Sequence, residues 1–384
     1  MESKLFTGRN LPPCVARPIL GVIVSGCSGR MGRRLLSHTL ADPELRLLGG
    51  ICRAASENIP CRTPHEGLLK EGQEGQLTTT DPSGVGSVST YVQELGVVVE
   101  ANKVKQWPMV IKKRKQLEIE APVCATLDEL LTLLELSHVG SNPTIVVDFS
   151  HPAATMALLQ TCVRRHIPVV VGTTGFTADE KRAIAEAAEE IPLCVAANFS
   201  LGVNLLIKLV GEVTTALGEQ FDIELVESHH RLKADAPSGT ALSLLDSIAK
   251  ARQKTGLSDA CCSELECEPV GFQKRQSSNE LYEVGSVGPD VMTLVHGRLG
   301  VNVGRKQGEV GVHSLRLGNV VGEHSVIYAS IYEKLVLQHH AQSRDVFAVG
   351  ALKMAKWLAS KPKGEYSMND MLFEKSARSQ SCQV

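Results

Sequence analysis

The sequence of 384 residues lacks the features that mark membrane-spanning and secreted proteins. No apolar run approaches the roughly 20 residues that cross a bilayer, so we expect no membrane partner. Residues 1–18 contain no long apolar segment of the kind found in a secretory signal. Lys4, Arg9 and Arg17 leave a short organellar targeting segment as an alternative. We therefore expect a cytoplasmic location, with a plastid as the second choice.

An excess of charge of one sign is also missing. The formal net charge is -2, which gives no electrostatic reason to expect nucleic acid as a partner. The 11 cysteines are scattered along the chain and form no Cys-x-x-Cys pair. Because Cys261, Cys262 and Cys267 lack zinc-type spacing, we predict no metal site and expect free thiols in a reducing compartment.

What is present is the composition of an ordinary globular protein, with 43% hydrophobic and 21% charged residues. A chain of this length can bury the cores of two domains. Strand-like runs alternate with helical periodicity over residues 19–200, which predicts an α/β fold with a Rossmann-like, doubly wound parallel sheet. Beyond residue 301, short strands and a predicted turn at residues 322–325 indicate a second, α+β domain with an open mixed sheet.

A glycine-rich turn follows the first predicted strand, residues 19–25. It reads Gly26-Cys27-Ser28-Gly29-Arg30-Met31-Gly32, and residues 33–40 then have helical periodicity. Strand, glycine turn and helix form the context of a dinucleotide-binding turn, in which backbone amides at the helix N-terminus reach the pyrophosphate. The Gly-x-x-Gly-x-x-Gly spacing differs from the commoner fingerprint, so a plain glycine-rich loop is the alternative.

Two further loops lie beyond the carboxyl ends of predicted strands, which is where doubly wound sheets bind their ligands. They read Gly172-Thr173-Thr174 and Ala196-Ala197-Asn198-Phe199. Either loop taken singly is equally consistent with an ordinary connection at a strand end.

The densest group of reactive side chains follows a predicted strand at residues 221–226. It consists of His229, His230, Arg231 and Lys233. Exposed polar histidines are the simpler interpretation of such a pair. Chelation of a metal by both rings is disfavoured, because neighbouring strand residues point to opposite faces.

A predicted helix begins directly after this group. Ser238 is placed to cap it, and Gly239 allows a carboxylate to approach the backbone N–H groups of its first turn. Cationic and proton-donating side chains therefore precede an anion-binding helix terminus. The stretch predicts a site for a small anionic substrate whose reaction needs a proton donor.

The string from His229 to Ala241, His-His-Arg-Leu-Lys-Ala-Asp-Ala-Pro-Ser-Gly-Thr-Ala, resembles the signature of the bacterial-type dihydrodipicolinate reductases, now called 4-hydroxy-tetrahydrodipicolinate reductases. Other motifs resemble that family in the same order: Gly-Arg-Met-Gly at 29–32, Asp-Phe-Ser at 148–150, Gly-Thr-Thr at 172–174 and Gly-Glu-His-Ser at 322–325. The resemblance implies NAD(P)H-dependent reduction of 4-hydroxy-tetrahydrodipicolinate to tetrahydrodipicolinate with loss of water. That reaction belongs to lysine biosynthesis through diaminopimelate.

The resemblance also implies a role for individual residues. His229 would be the general acid/base and Lys233 a second proton donor. His230, Gly239 and Thr240 would bind the substrate, a small anionic dicarboxylate. The implied cofactor-binding residues are Gly26, Cys27, Ser28, Gly29, Arg30, Met31, Gly32, Arg53, Gly172, Thr173, Thr174, Ala196, Ala197, Asn198 and Phe199.

The same resemblance divides the chain into parts. Residues 19–200 would be the dinucleotide-binding domain, with residues 54–122 as a long, partly irregular insertion. Residues 201–340 would bind the substrate and carry the contacts of a homotetramer. Residues 341–372 would form a helix that returns to the nucleotide domain, and residues 373–384 would be a tail.

One position departs from the family pattern. Relatives that use both nicotinamide cofactors have an acidic residue followed by arginine at the end of the second strand, where this chain has Cys52 and Arg53. The carboxylate that would bind the ribose hydroxyls of NADH is thus absent, and Arg53 is available to the 2′-phosphate of NADPH. We predict that NADPH is preferred and that NADH is the second cofactor.

Two rival functions are compatible with parts of this pattern. Another nicotinamide-dependent imine or aldehyde reductase, such as a homoserine-dehydrogenase-like enzyme, would not need adjacent histidines together with Lys233. A catalytically silent relative that acts as a binding protein would not need its catalytic residues, yet every one expected is present.

Overall fold

The computed structural model describes residues 19–52, 97–100, 109–113, 121–136, 143–254, 292–301 and 303–374. Seven residues named above lie outside these ranges: Lys4, Arg9, Arg17, Arg53, Cys261, Cys262 and Cys267. Most of the predicted tail also lies outside them. Two sheets with their packed helices make up the described part of the chain.

Nine strands form the larger sheet, in the order β14-β8-β7-β6-β1-β2-β5-β4-β3. From β14 to β5 every neighbouring pair is parallel, whereas β4 and β3 are added in antiparallel fashion. The predicted Rossmann-like sheet is confirmed. Its strands are β1 (Leu20–Ser25), β2 (Leu45–Ile51), β3 (Val97–Glu100), β4 (Met109–Lys113), β5 (Ala121–Cys124), β6 (Thr144–Asp148), β7 (Val169–Val171), β8 (Pro192–Val195) and β14 (Gly364–Tyr366).

Helices cover both faces of this sheet, because successive strand residues point to opposite sides. Val22 and Val24 face one apolar cluster, while Ile23 between them faces the other. The first cluster includes side chains of α1 (Arg30–Ala41), α7 (Asp345–Leu358) and α8 (Met368–Phe373). The second includes side chains of α2 (Leu127–Leu136), α3 (Pro152–Arg165) and α4 (Ala178–Ala188).

Five strands form the second sheet, in the order β10-β11-β9-β12-β13. It is a mixed sheet, since β10, β11 and β9 are parallel while β12 is antiparallel to both of its neighbours. Its apolar face packs on α5 (Leu201–Leu217) and α6 (Gly239–Lys254). The strands are β9 (Asp222–His229), β10 (Thr293–Val295), β11 (Glu309–Arg316), β12 (Glu323–Ala329) and β13 (Lys334–His340).

Three predicted local structures differ from the observed ones. The turn predicted at residues 322–325 is wrong, because residues 323–325 begin β12. There His324, Val326 and Tyr328 alternate into the core, a period-two pattern that polar residues at the strand start concealed. Helix α1 begins at Arg30 rather than at residue 33, so the last residues of the glycine turn belong to its first turn. The insertion predicted at residues 54–122, expected to be partly irregular, contains the strands β3 and β4, which the sequence did not predict.

Helix α5 connects the two sheets. By length and composition, Leu201–Gln220 is apolar enough to cross a membrane. Only 22% of its most apolar window is buried, and the buried side chains include Val203, Leu206 and Val210, the last two in the core of the second sheet. The expectation of no membrane partner stays a prediction.

Candidate active site

The glycine turn approaches α1 so closely that it excludes side chains. Gly26 has φ +75°, and a Cβ on Gly32 would lie 2.1 Å from the carbonyl oxygen of Gly26. No side chain caps α1, and its first turn contains no acidic residue. The N-terminus of α1 therefore presents backbone N–H groups and a positive dipole end, with no carboxylate in its own first turn to compete. These residues fit the pyrophosphate of a dinucleotide.

A buried thiol, that of Cys52, directly follows β2. Cys52 and Cys27 are both buried, and their side chains are hydrogen-bonded to each other. Hydrogen bonds from Cys27 and Ser28 lower the pKa of the Cys52 thiol. The side chain of Arg33 donates to the carbonyl oxygen of Ser28 at 3.0 Å and so helps to shape the same turn.

A buried carboxylate at the end of β6 organises the loop that contains Thr173. Asp148 has no exposed surface, and its oxygens accept hydrogen bonds from the hydroxyls of Ser150 (2.6 Å), Thr155 (2.6 Å) and Thr173 (2.7 Å). The Thr173 hydroxyl also accepts from the backbone N–H of Ser150 at 2.9 Å. Thr173 is thus fixed by the protein, whereas Thr174 beside it is exposed.

The loop after β8 joins the nucleotide side of the molecule to the second sheet. The Asn198 side-chain amide donates to the Thr240 hydroxyl at 3.0 Å, across 42 residues of sequence. The other end of the Asn198 side chain accepts from the backbone N–H of Ser200 at 2.8 Å. The structure therefore brings a predicted cofactor-binding residue into contact with a predicted substrate-binding residue.

His229 lies at the end of β9 and is paired with a buried carboxylate. Its Nδ1 is 2.5 Å from Oε2 of Glu227, which has no exposed surface. Because a carboxylate only accepts, Nδ1–H of His229 donates in this pair, and Nε2 is left for the reaction. Burial alone would raise the pKa of Glu227, but hydrogen bonds from His229, Ser314 and Arg316 outweigh burial, so that its pKa is lowered.

His230 and Lys233 occupy the turn after β9. The pKa of His230 is lowered, first by desolvation and then by the electrostatic effect of Arg344, His229, Lys233 and Arg30. Arg30 and Arg344 come from α1 and the start of α7, so both parts of the fold contribute to this positive field. Lys233 Nζ donates to both carboxylate oxygens of Asp235 at 2.7 Å, which holds its ammonium group at the turn.

The start of α6 is fixed by a buried serine–histidine pair. The Ser238 hydroxyl accepts from the backbone N–H of Ala241 at 3.1 Å, which confirms the predicted cap. The same hydroxyl lies 2.9 Å from Nε2 of His324. Burial lowers the pKa of His324 to about 4, so this ring stays neutral at physiological pH. No side chain of the described residues lies against Gly239, and within that part of the chain the first turn of α6 is open to a carboxylate.

Replacing Ser238 by alanine is expected to destabilise the protein by about 2 kcal/mol, because the helix cap is lost and a buried His324 nitrogen loses its partner. Urea denaturation followed by circular dichroism measures this. The matched control is Ser243→Ala, which removes a hydroxyl bonded to Gly239 on the same helix but exposed. A control loss equal to that of Ser238→Ala would contradict the role of the pair.

The family model "Dihydrodipicolinate reductase, C-terminus" matches residues 202–372, and "Dihydrodipicolinate reductase, N-terminus" matches residues 92–199. The chain belongs to the dihydrodipicolinate reductase family. It is thereby a nicotinamide-dependent oxidoreductase, as the sequence motifs predicted.

Individual relatives agree with this assignment. The chain is 30% identical over 354 residues to the 4-hydroxy-tetrahydrodipicolinate reductase of Myxococcus xanthus, covering 92% of this chain and 98% of that one. It is 39% identical over 238 residues to the reductase of Caldanaerobacter subterraneus, covering 62% and 80%. Among solved structures, a dihydrodipicolinate reductase from Paenisporosarcina sp. TG-14 with bound dipicolinate superposes with a TM-score of 0.55 at 18% identity, covering 91% and 97%. That likeness supports the fold.

The family match bounds the segment that can be removed. It begins at residue 92, and β3, β4 and β5 lie after that point. We expect deletion of residues 56–91, bridged by a short Gly/Ser linker, to leave a cooperatively melting enzyme, because long connections cost little loop-closure entropy. Deletion of residues 56–121 removes two sheet strands and is expected to destabilise the protein. Calorimetry tests both; loss of the cooperative transition in the shorter deletion would show that residues 56–91 pack into the core.

Two parts of the site were not predicted from the sequence. Glu227 precedes His229 by two residues, so strand alternation places both side chains on one face, a signal that was available. Arg316 lies 89 residues from its partner Glu227, and no local pattern connects them. Arg231, a member of the predicted group of reactive side chains, is exposed, and its backbone N–H donates to the carbonyl oxygen of Gly318.

Proposed function

We propose that this chain is a 4-hydroxy-tetrahydrodipicolinate reductase, which forms tetrahydrodipicolinate with loss of water in lysine biosynthesis through diaminopimelate. The observation that carries the proposal is the contact between Asn198 and Thr240 beside His229 and Lys233. The contact supports a site in which the start of α6, His229, Lys233 and the loop after β8 act together, since the ring centroid of His229 lies 5.2 Å from that of His324, and His324 contacts Ser238, the cap of α6.

The cationic side chains near the start of α6 support the binding of a dicarboxylate. One carboxylate would accept from the backbone N–H groups of Gly239 and Thr240 at the start of α6. His230 and the neighbouring cations would attract the rest of the substrate. Dipicolinate, the molecule bound to the Paenisporosarcina relative, is also a dicarboxylate.

The chemistry divides between the chain and the cofactor. A bound nicotinamide supplies the hydride that reduces the ring. His229, oriented by Glu227 through Nδ1–H, would carry a second proton on Nε2 when it acts as the acid and would deliver that proton to the carbon next to the reduced one. Lys233 is a second proton donor and is kept in place by Asp235.

The residues that would hold the cofactor are those of the glycine turn, with the loops at Gly172, Thr174 and Asn198 on the nicotinamide side. We propose NADPH as the preferred form, since Cys52 replaces the carboxylate expected for NADH. A homotetramer and a cytoplasmic location, the latter with a plastid as the alternative, stay predictions.

The test is a coupled assay in which a dihydrodipicolinate synthase makes the unstable substrate in place from pyruvate and aspartate semialdehyde, while NADPH oxidation is followed. We expect oxidation to require the synthase. Oxidation without the synthase would instead support the rival semialdehyde reductase. No oxidation in either reaction would favour a catalytically silent binding protein.

A further inference from the structure

Arg316, the last residue of β11, donates hydrogen bonds from all three nitrogens of its guanidinium group. Both terminal nitrogens of its guanidinium donate to the Glu227 carboxylate at 3.1 Å. One of them also donates to the carbonyl oxygen of Asp235 at 2.7 Å, and Nε donates to that of Lys233 at 3.3 Å. A single rigid fork therefore contacts both the buried carboxylate and the turn that follows β9.

The first set of contacts acts on His229. Arg316 and His229 are register partners on the neighbouring parallel strands β11 and β9. Glu227 lies between them, fully buried, so its carboxylate needs both cationic and N–H partners to stay charged. With Arg316 in place, one carboxylate oxygen is directed at Nδ1 of His229, which sets the tautomer and the orientation of the ring.

The second set of contacts acts on Lys233. Its side chain carries the second predicted proton donor, but its direction depends on the turn of residues 230–235. Arg316 binds two carbonyl oxygens of that turn, at Lys233 and Asp235. Asp235 in turn holds the Lys233 ammonium group through both carboxylate oxygens.

We propose that Arg316 is a positioning residue that fixes both proton-donating groups at once, His229 through Glu227 and Lys233 through the backbone of its turn. The proposal rests on the reductase function proposed above. In this proposal Glu227 transmits the effect of Arg316 to His229. Loss of Arg316 or of Glu227 would therefore impair proton transfer, while the carboxylate-binding N-terminus of α6 stays intact.

The same sheet offers a matched control for a purely structural role. Arg305 also forms a fork on a glutamate of β9, since it contacts Glu224 and donates to the carbonyl oxygens of Ile223 and Glu309. Glu224 lies three residues before Glu227 on the strand and does not contact His229. Its histidine partner is His313, at 2.8 Å.

The experiment compares Arg316→Ala, Arg316→Lys, Glu227→Gln and Arg305→Ala with the parent enzyme in the coupled assay. Arg316→Ala is expected to lower kcat by roughly a hundredfold with KM changed less than about threefold, because proton transfer is lost and ground-state binding is kept. Millimolar guanidinium should raise the kcat of Arg316→Ala by at least about tenfold, because the free cation occupies the place of the missing side chain. Arg316→Lys should remain impaired, since an ammonium cannot reproduce the fork.

A second readout does not need turnover. Nitrogen NMR of protein labelled with ¹⁵N-histidine, with His229→Gln used for assignment, reports which ring nitrogen of His229 carries the proton. We expect Nδ1 protonation in the parent and in Arg305→Ala, and a mixture of tautomers in Glu227→Gln and Arg316→Ala. Dipicolinate binding measured by calorimetry should be nearly unchanged in all four variants.

The two proposals fail in different ways. An inactive parent whose His229 ring shows the expected tautomer would contradict the reductase function and leave the positioning role standing. Equal kcat losses in Arg305→Ala and Arg316→Ala, no rescue by guanidinium, or an unchanged His229 tautomer in Arg316→Ala would overturn the positioning role. A merely structural arginine would lower Tm in both variants without these signatures.

Discussion

Replacement of His229 by glutamine is expected to lower kcat by roughly a hundredfold or more while KM changes little, because the variant loses a proton donor used only in the transition state. Lys233→Ala should act in the same direction. His230→Gln, in contrast, should act more on KM, since His230 lies in the positive field that attracts the substrate. Steady-state kinetics in the coupled assay separate the two effects.

His313→Gln is the matched control for His229→Gln. His313 also pairs with a glutamate of β9, Glu224, but lies outside the candidate site. We expect its kcat to stay within about threefold of the parent. If His229→Gln kept near-normal turnover, or if His313→Gln lost as much, the assignment of the general acid/base would be wrong.

The parent enzyme is expected to prefer NADPH over NADH by at least about tenfold in kcat/KM. NADH loses a charge-assisted hydrogen bond where Cys52 replaces a carboxylate, and NADPH gains one if Arg53 pairs with its 2′-phosphate; each difference is on the order of 1.5–3 kcal/mol. Comparison of both cofactors in the parent, in Arg53→Ala and in Cys52→Glu measures the two contributions. Arg53→Ala should weaken NADPH selectively, and Cys52→Glu should improve NADH relative to NADPH.

Cys52→Ser is the control for the cofactor experiment. Cys52 is buried and hydrogen-bonded to Cys27, so a substitution there also perturbs packing. Serine changes the thiol contact without adding charge, and the ratio of the two cofactors should stay at the parental value. Equal or better use of NADH by the parent would contradict the predicted preference.

The sequence predicted those features whose causes are local. The glycine turn and the Ser238 cap both depend on residues within a few positions of one another, and both are present in the structure. The alternation of strands and helices likewise predicted the parallel sheet. Such signals are strong because chain connectivity already places the interacting groups together.

The parts that were missed depend on contacts between distant segments. Arg316 reaches Glu227 only because β11 pairs with β9, and a strand register cannot be read from composition. The contact of Asn198 with Thr240 requires the two sheets to be placed relative to each other. A turn was predicted at His324 because its polar neighbours resemble turn residues. In the structure His324 lies in β12, where its side chain is buried and contacts Ser238.

The most direct test of the central claim follows the hydride itself. The synthase-coupled reaction is run with NADPH carrying deuterium at the transferred position of the nicotinamide, and the product is identified by mass spectrometry. The account predicts tetrahydrodipicolinate that carries one deuterium in the parent and almost none formed by His229→Gln. Unlabelled product, or cofactor oxidation that yields a reduced semialdehyde in place of tetrahydrodipicolinate, would contradict it.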